Sequence, residues 1–371
     1  MRPLGLYVHI PFCRRKCHYC DFVSFSGMEG VFNRYIDAVI AEAKQYKKLF
    51  KEYVVDTVFI GGGTPSVLEI PHIIKLVSGI NNAFRHHIKE FTIETNPEKL
   101  NAEKLSAYSD LGINRVSIGL QSHDDTILRR IGRRHTWDDF LRAYTDASRF
   151  FKNINTDIIF GLPGQTTECF FETVEKVISL KPQHVSAYSL KVEQTTPLAK
   201  SFSGADEDTD RAMYHGAVDM LESAGYVHYE TSNFALPEFE CGHNLKYWTC
   251  AEYLGLGVAA HSFAGDARRS NTESLQDYME ATESRLPQAA DMTKLGEHEK
   301  AEEYIMLRMR LADGIVFNDY NTRFNKDFSA EFLNQISAAQ KMGLIVADKD
   351  GIRPTKKGFD LQNTLICEFI K

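Results

Sequence analysis

Cys13, Cys17 and Cys20 follow a short apolar run in Tyr7-Val-His-Ile-Pro-Phe-Cys-Arg-Arg-Lys-Cys-His-Tyr-Cys-Asp-Phe22, at the spacing C-x3-C-x2-C. Three thiolates can hold three irons of a cubic [4Fe–4S] cluster, which leaves the fourth iron without a protein ligand and open to a small molecule. Structural zinc is the alternative, but it asks for four ligands, usually as two separated pairs, and no second cysteine pair follows at finger spacing. Further along, Gly61-Gly62-Gly63-Thr64-Pro65 supplies bare backbone that a ligand can approach closely, or simply turns the chain tightly. Glu94, Gln121 and Asp157 each end or lie within a short β-like run. Carboxylates suit hydroxyl donors, and an amide both gives and accepts. Taken singly, each of the three also reads as a satisfied polar residue at the mouth of a barrel.

Elements able to position these groups are legible. Short β-branched or aromatic runs at residues 6–10, 57–60, 91–94, 115–120, 156–160 and 185–190 alternate with helical patterns, which predicts six parallel strands in βαβ units. Phe32, Tyr35, Ile36, Val39, Ala43, Tyr46 and Leu49 recur at spacings of three and four, the mark of a helix with one buried face. Leu105, Tyr108 and Leu111, closed by Gly112, mark another. Six units rather than eight predict an α/β fold with a partial (β/α)6 TIM-like barrel, whose working face is the C-terminal ends of the strands. A helix over residues 208–224 stopped by Gly225 comes next, then an irregular Gly- and aromatic-containing stretch. Near residue 290 a new unit is expected. Its first helix, residues 297–311, carries Glu early and Arg308 and Arg310 late, as the helix dipole prefers. Runs at 344–347 and 352–355 flank Asp350-Gly351, a tight-turn signal, so the unit reads as a smaller C-terminal α+β, winged-helix-like domain. The expected division is 1–205 for the barrel, 206–290 for a connecting region and 291–371 for the C-terminal domain.

Of 371 residues 43% are hydrophobic and 25% charged, an ordinary composition for one large domain and a smaller one. Lys and Arg number 43 against 50 Asp and Glu, so a net charge of −7 gives no drive toward nucleic acid, and no nucleic-acid partner is expected. For the winged-helix-like unit this balance favours a protein-contact or lid role. No basic-then-apolar leader opens the chain and no apolar run of about 18 residues could span a bilayer, so a cytoplasmic protein is expected. Seven cysteines, an odd number in a chain this large, fit a reducing compartment. Peripheral membrane attachment and a homodimer stay open.

The cysteine spacing resembles the radical S-adenosylmethionine (SAM) superfamily, and the wider run from Tyr7 to Phe22 resembles its coproporphyrinogen III dehydrogenase and HemW family, over nearly the whole chain. The resemblance implies a [4Fe–4S] cluster on Cys13, Cys17 and Cys20, and SAM chelating the open iron, where one electron cleaves the sulfonium to a 5′-deoxyadenosyl radical. It assigns Gly62, Gly63 and Thr64 to the methionyl end of SAM, and Glu94, Gln121 and Asp157 to polar SAM contacts. Arg133, twelve residues after Gln121, holds the family position of the arginine that forks onto the SAM carboxylate. Arg129, Arg130 and Arg134 read as a solvated face. Tyr7, Tyr19 and Lys191 align with further SAM-site positions, Lys191 through its backbone.

Two departures distinguish the branches. The dehydrogenases carry another cysteine two residues past the third ligand, where this chain has Phe22, and a longer segment before the first strand. The HemW branch resembles this chain on both counts and shares His243-Asn244-Leu-Lys-Tyr247-Trp248. The resemblance implies a heme chaperone that binds heme, with His243, Asn244, Tyr247 and Trp248 at the heme, and passes it to apo-hemoproteins. A neutral imidazole is a good axial ligand for heme iron and aromatics can lie against a porphyrin, although a lone His in a loop is more often structural. Cys241 offers a Cys-x-His metal pair or a thiolate ligand, or forms a structural thiol pair with Cys250. Tyr253-Leu-Gly-Leu-Gly257 and Ala260-His-Ser262 also resemble the family, without a role that the residues reveal. An oxygen-independent coproporphyrinogen III dehydrogenase is the alternative reading, and another radical SAM modifying enzyme the third.

Overall fold

The structure, a computed structural model, describes residues 1–284 and 289–370, with 289 and 290 as backbone alone. Six strands, β1 (Arg2–Ile10), β2 (Tyr53–Gly62), β3 (His86–Thr95), β4 (Arg115–Gln121), β5 (Ile154–Phe160) and β6 (His184–Ser189), lie side by side in chain order, every neighbouring pair parallel. Each short run seen in the sequence falls within one of these strands or one residue past its end. Alternation along the strands separates two faces. Val116, Ile118 and Leu120 of β4 join the main apolar core under the helices, whereas Arg115, Ser117, Gly119 and Gln121 face the other way. Leu4, Leu6, Val8 and Ile10 of β1 do the same against Gly5, Tyr7 and His9. The outward face is apolar and the inward face polar.

Helices α1 (Phe32–Tyr46), α2 (Ile70–Ala83), α3 (Ala102–Asp110), α4 (Asp125–Arg130), α5 (Trp137–Ala147) and α6 (Thr167–Leu180) connect the strands. The periodic stripe of α1 is buried from Phe32 to Ala43, but Leu49 lies past the helix end and is 68% exposed, so the stripe stops short of the sequence expectation. Helix α2 shows why a pattern can be passed over. Its Pro71 is tolerated in the first turn, where a missing N–H costs nothing.

The stretch read as irregular is ordered and extends the sheet at both edges. After α7 (Glu207–Ser223), capped by Asp206, the hairpin β7 (Val227–Glu230) and β8 (Asn233–Ala235) pairs antiparallel with β6. The chain then runs through α8 (Gly242–Trp248) to β9 (Tyr253–Leu256), which pairs parallel with β1, and on to β10 (His261–Ala264), β11 (Ala267–Asn271), helix α9 (Leu275–Glu283) and β12 (Ala289–Lys294). An open six-stranded sheet leaves two rows of unpaired backbone groups, and these additions cover both. Gly257, at φ +102, sits so close that a β-carbon would lie 2.5 Å from the Tyr35 hydroxyl, which explains one glycine of the 253–257 run. The expected start of the last unit, residue 291, falls inside β12.

Glu42 of α1 fastens this extension. Its buried carboxylate accepts from Tyr278 Oη at 2.5 Å, the Gly257 N–H at 2.9 Å and Asn271 Nδ2 at 2.8 Å. A second apolar core, including Tyr304, Tyr320, Phe328, Ile352 and Leu365, belongs to the C-terminal part. There α10 (Glu297–Arg308), β13 (Ile315–Val316), α11 (Phe317–Phe324), α12 (Phe328–Glu331) and α13 (Leu333–Lys341) precede the hairpin β14 (Ile345–Ala347) and β15 (Gly351–Pro354), the order of a winged helix. Arg310 lies beyond α10 and binds Gln362 instead of serving the helix dipole. Gly351 is already in β15, packed against the Ile315 carbonyl oxygen, so the turn comprises the residues before it. Among the described residues no helix is long and apolar enough to cross a membrane.

Glu42→Ala should therefore cost about 2–5 kcal/mol in urea unfolding by leaving three buried donors unpaired, while the exposed Glu175→Ala on α6 changes stability by less than about 0.5 kcal/mol. Burial raises the Glu42 carboxyl from 4.5 to about 7. The folded protein then holds this proton more tightly than the unfolded chain, so the Glu42 contribution is largest below 4.5 and is lost as pH rises through about 7.

Candidate functional site

The chain leaves β1 at Ile10 and enters the cysteine loop, which is tied at its base by the Cys13 N–H to the Phe25 carbonyl at 2.9 Å and the Phe25 N–H to the Pro11 carbonyl at 2.7 Å. Farther along, the His18 N–H donates to the Ile131 carbonyl at 3.0 Å. These ties bring the three half-buried thiols to one end of a cavity of about 430 Å³ at the C-terminal ends of the strands. Burial pushes the Cys13 thiol up and the Cys20 thiol to about 11, so they are poor thiolates until a metal compensates the charge. Among the described residues no three His, Cys, Asp or Glu side chains converge on a single metal ion. A cubane asks for no such convergence, since each thiolate takes its own iron.

Gly62, Gly63 and Thr64 form the wall beside Cys13, and the Cys13 Sγ and Thr64 Oγ1 are 3.5 Å apart. Gly62 has φ +111, and a β-carbon there would lie 2.5 Å from the His9 ring; one at Gly63 would lie 2.8 Å from the Phe12 carbonyl oxygen. Side chains are thus excluded at both positions. Glu94, at the end of β3, accepts the Gly62 N–H at 3.0 Å, and burial beside Asp157 raises its carboxyl to about 7. Asp157 of β5 accepts from Ser117 at 2.8 Å and Asn155 at 2.7 Å. Gln121, at the end of β4, has φ +68, a region that costs a non-glycine residue energy. Its Oε1 is buried with no hydrogen-bond partner among the described residues, as is Arg133 Nε. Orphaned polar atoms and a strained backbone in one cavity give these residues hydrogen-bonding capacity that a ligand could use. Arg133 donates from Nη2 to the Gly119 carbonyl at 2.7 Å and lies near Cys17.

Ten of the expected SAM residues divide clearly. Tyr19, Gly62, Gly63, Thr64, Glu94, Gln121, Arg133 and Asp157 line the cavity with the cysteines. Lys191 is on its rim, with an amine that points to Glu193 and solvent. Tyr7 is not in the wall. It faces into the barrel two residues below His9, donates to His9 Nδ1 at 3.0 Å and stacks on Phe59, because the stagger of β1 against β2 sets it a layer too low. Arg130 donates away from the cavity, to the Pro163 carbonyl at 2.9 Å. Missed in the sequence were Gly119, whose absent side chain makes room for Arg133, and Tyr188 at the end of β6. A glycine inside a strand was the available signal for the first.

His243-Asn-Leu-Lys-Tyr-Trp248 is helical, not a loop, and lies at the opposite end of the barrel interior. Glu90 of β3 accepts the Gly242 N–H at 2.7 Å and the His243 N–H at 3.0 Å, so a carboxylate caps the helix start. Both ring nitrogens of His243 are occupied, Nδ1 by Thr57 Oγ1 at 2.9 Å and Nε2 by Tyr247 Oη at 2.9 Å. The ring is 0% exposed, and burial lowers its pKa to about 3. Lys246 pairs with Asp56 at 2.8 Å. Cys241 is no thiolate ligand here, for its thiol is fully buried against Glu90 and pushed up to about 12. Nor does it pair with Cys250, which packs on the C-terminal core.

The sequence profile of the Radical SAM superfamily matches residues 7–177, and that of the HemN C-terminal domain matches residues 295–361. Radical SAM proteins carry a [4Fe–4S] cluster and SAM. Coproporphyrinogen III oxidase (HemN) from Escherichia coli, a radical SAM enzyme, superposes with a TM-score of 0.88 at 24% identity, covering 99% of this chain and 90% of that one, and so shares the fold. Heme chaperone HemW of Lactococcus lactis is 34% identical over 100% of this chain and 98% of its own length. Heme chaperone HemW of Bacillus subtilis is 31% identical over 98% of each. By this full-length similarity the chain belongs to the HemW family of radical SAM proteins.

Proposed function

We propose that this protein is a heme chaperone that binds heme and hands it to apo-hemoproteins, carrying a [4Fe–4S] cluster on Cys13, Cys17 and Cys20 and SAM in the adjoining cavity. Full-length similarity to proteins named heme chaperone HemW carries the reading. Phe22 supports it, standing 64% exposed where the dehydrogenases have a cysteine. The likeness to HemN is one of fold. When bound, SAM at the cluster supplies one-electron chemistry. The residues of this chain hold it. Gly62 and Gly63 admit its methionyl end against bare backbone, with Thr64 beside them. Glu94 and Asp157 accept from ribose hydroxyls, Gln121 adds its unpaired amide oxygen, and Arg133 forks onto the carboxylate from its place near Cys17. Tyr19 closes the side, and Lys191 contributes backbone at the rim. A reducing compartment, the cytoplasm, suits such a cluster.

In this reading heme is taken by α8, with His243 as axial ligand and Asn244, Tyr247 and Trp248 around it. The His243 ring is fully buried and its Nε2 is engaged, so capture requires α8 to expose the ring and Nε2 to exchange the Tyr247 hydroxyl for iron. Anaerobically reconstituted protein with SAM and reductant should bind heme and load an apo-hemoprotein without converting coproporphyrinogen III. His243→Ala should impair heme binding and leave cluster content intact. Protoporphyrinogen production would replace this reading by the dehydrogenase.

Cys13→Ala, Cys17→Ala or Cys20→Ala should abolish the broad visible absorption and the complement of about four irons, while Cys169→Ala and Cys367→Ala retain both. Loss of the cluster in Cys169→Ala would refute the ligand assignment.

Arg133→Ala should weaken SAM binding by about ten- to hundredfold in calorimetric titration, the value of a lost charge-assisted fork. Arg130→Ala should leave it nearly unchanged, and equal effects would remove the case for Arg133.

A further inference from the structure

Asp157 in the cavity and Cys241 at the start of α8 are the two ends of one run of buried hydrogen bonds. The Cys241 N–H donates to Tyr229 Oη at 3.2 Å, the Tyr229 hydroxyl to His184 Nε2 at 2.7 Å, His184 Nδ1–H to Asn155 Oδ1 at 2.6 Å and Asn155 Nδ2–H to Asp157 Oδ1 at 2.7 Å. Donor chemistry sets the direction of each bond. A carboxylate only accepts, so Asn155 turns its amide nitrogen to Asp157. The amide oxygen must then receive the proton of His184 Nδ1, which leaves Nε2 to accept from Tyr229. One proton on the imidazole satisfies the whole run, and burial beside Arg115 keeps His184 neutral. All four bonds therefore point from α8 toward Asp157, the arrangement in which each polarises and strengthens the next.

Tyr229, His184 and Asn155 are outside the cavity wall and outside the helical motif. Side contacts come from Ser186, which donates to Asn155 Oδ1 at 3.2 Å, and Ser117, which takes a second bond from Asn155 Nδ2 at 2.8 Å and donates to Asp157 Oδ2 at 2.8 Å. Asp157 is the sole carboxylate in the run, and its oxygens are what a ligand hydroxyl would compete for.

We propose that Tyr229 and His184 are positioning residues that tie α8 to the cavity, so that a ligand whose hydroxyls donate to Asp157 weakens the run and loosens the start of α8. The inference rests on the reading of the cavity as a SAM site and is independent of heme. Coupling of this kind is reciprocal, so α8, once displaced, would also favour the ligand.

Hydrogen–deuterium exchange of residues 241–248 in the full-length, cluster-reconstituted protein tests it. Saturating SAM should speed exchange by about fivefold or more in the wild type, a typical coupling factor. Tyr229→Phe, which keeps the ring but removes both bonds at its oxygen, should exchange fast with or without SAM, with SAM binding confirmed by calorimetry. Unchanged wild-type exchange with SAM bound, or a Tyr229→Phe protein that responds as the wild type does, would overturn the proposal. Failure of SAM to bind would instead strike the cavity reading. Asp157→Asn without any ligand then decides the run itself, because a neutral carboxamide is a weaker acceptor. It should raise exchange in 241–248 by a similar factor, and no rise would overturn the coupling.

Discussion

The inward face of the six-stranded sheet carries Thr57, Glu90, Arg115, Ser117, Asn155, Asp157, His184 and Ser186 in a space largely closed from water. Polar groups removed from water must find partners or cost several kcal/mol each, roughly. Much of the fold answers that constraint. Arg115 is among the largest fully buried side chains, set near the Glu90 and Asp157 carboxyls. Glu90 takes the first amides of α8, and Tyr229 and His184 connect that helix to Asn155. The connecting region thus supplies, through the α8 amides and Tyr229, partners for Glu90 and His184 that the six strands do not provide.

The two ends of the barrel resolve the constraint differently. At the lower end every nitrogen of His243 and His184 is paired, and α8 is held closed. At the upper end Gln121 Oε1 and Arg133 Nε have no partner among the described residues, and Gln121 occupies a strained backbone region. The paired imidazoles below thus contrast with a cavity above that keeps hydrogen-bonding capacity unused among the described residues. Positions without side chains complete it: Gly62 and Gly63 where a ligand meets backbone, and Gly119 where Arg133 needs room.

Much of the barrel was readable because its signal is local. Short β-branched and aromatic runs alternating with helical patterns mark the six strands, and the cysteine spacing with Gly61–63 marks one end of the cavity. Tyr7 shows the limit. Its neighbours in the chain cannot say which layer of the barrel it joins, since that depends on strand stagger set by pairing of Tyr7 with Phe59 and of Phe59 with Thr92. The 226–271 region was read as irregular for a related reason. Its strands are three to five residues long and gain their stability by covering edges of a sheet built elsewhere.

What the sequence determined by itself is the set of groups and their order: three thiols at fixed spacing, glycines after the second strand, polar residues at strand ends, and a chain that resembles the HemW branch throughout. These are properties of short segments, and short segments carry them. Only the tertiary structure decided that His243 has no nitrogen to spare, that Cys241 is a buried neutral thiol, and that the two ends of the barrel share one run of hydrogen bonds. Those facts depend on partners as far apart as Thr57 and His243, brought together by strand pairing and by burial, and burial is a property of the whole fold.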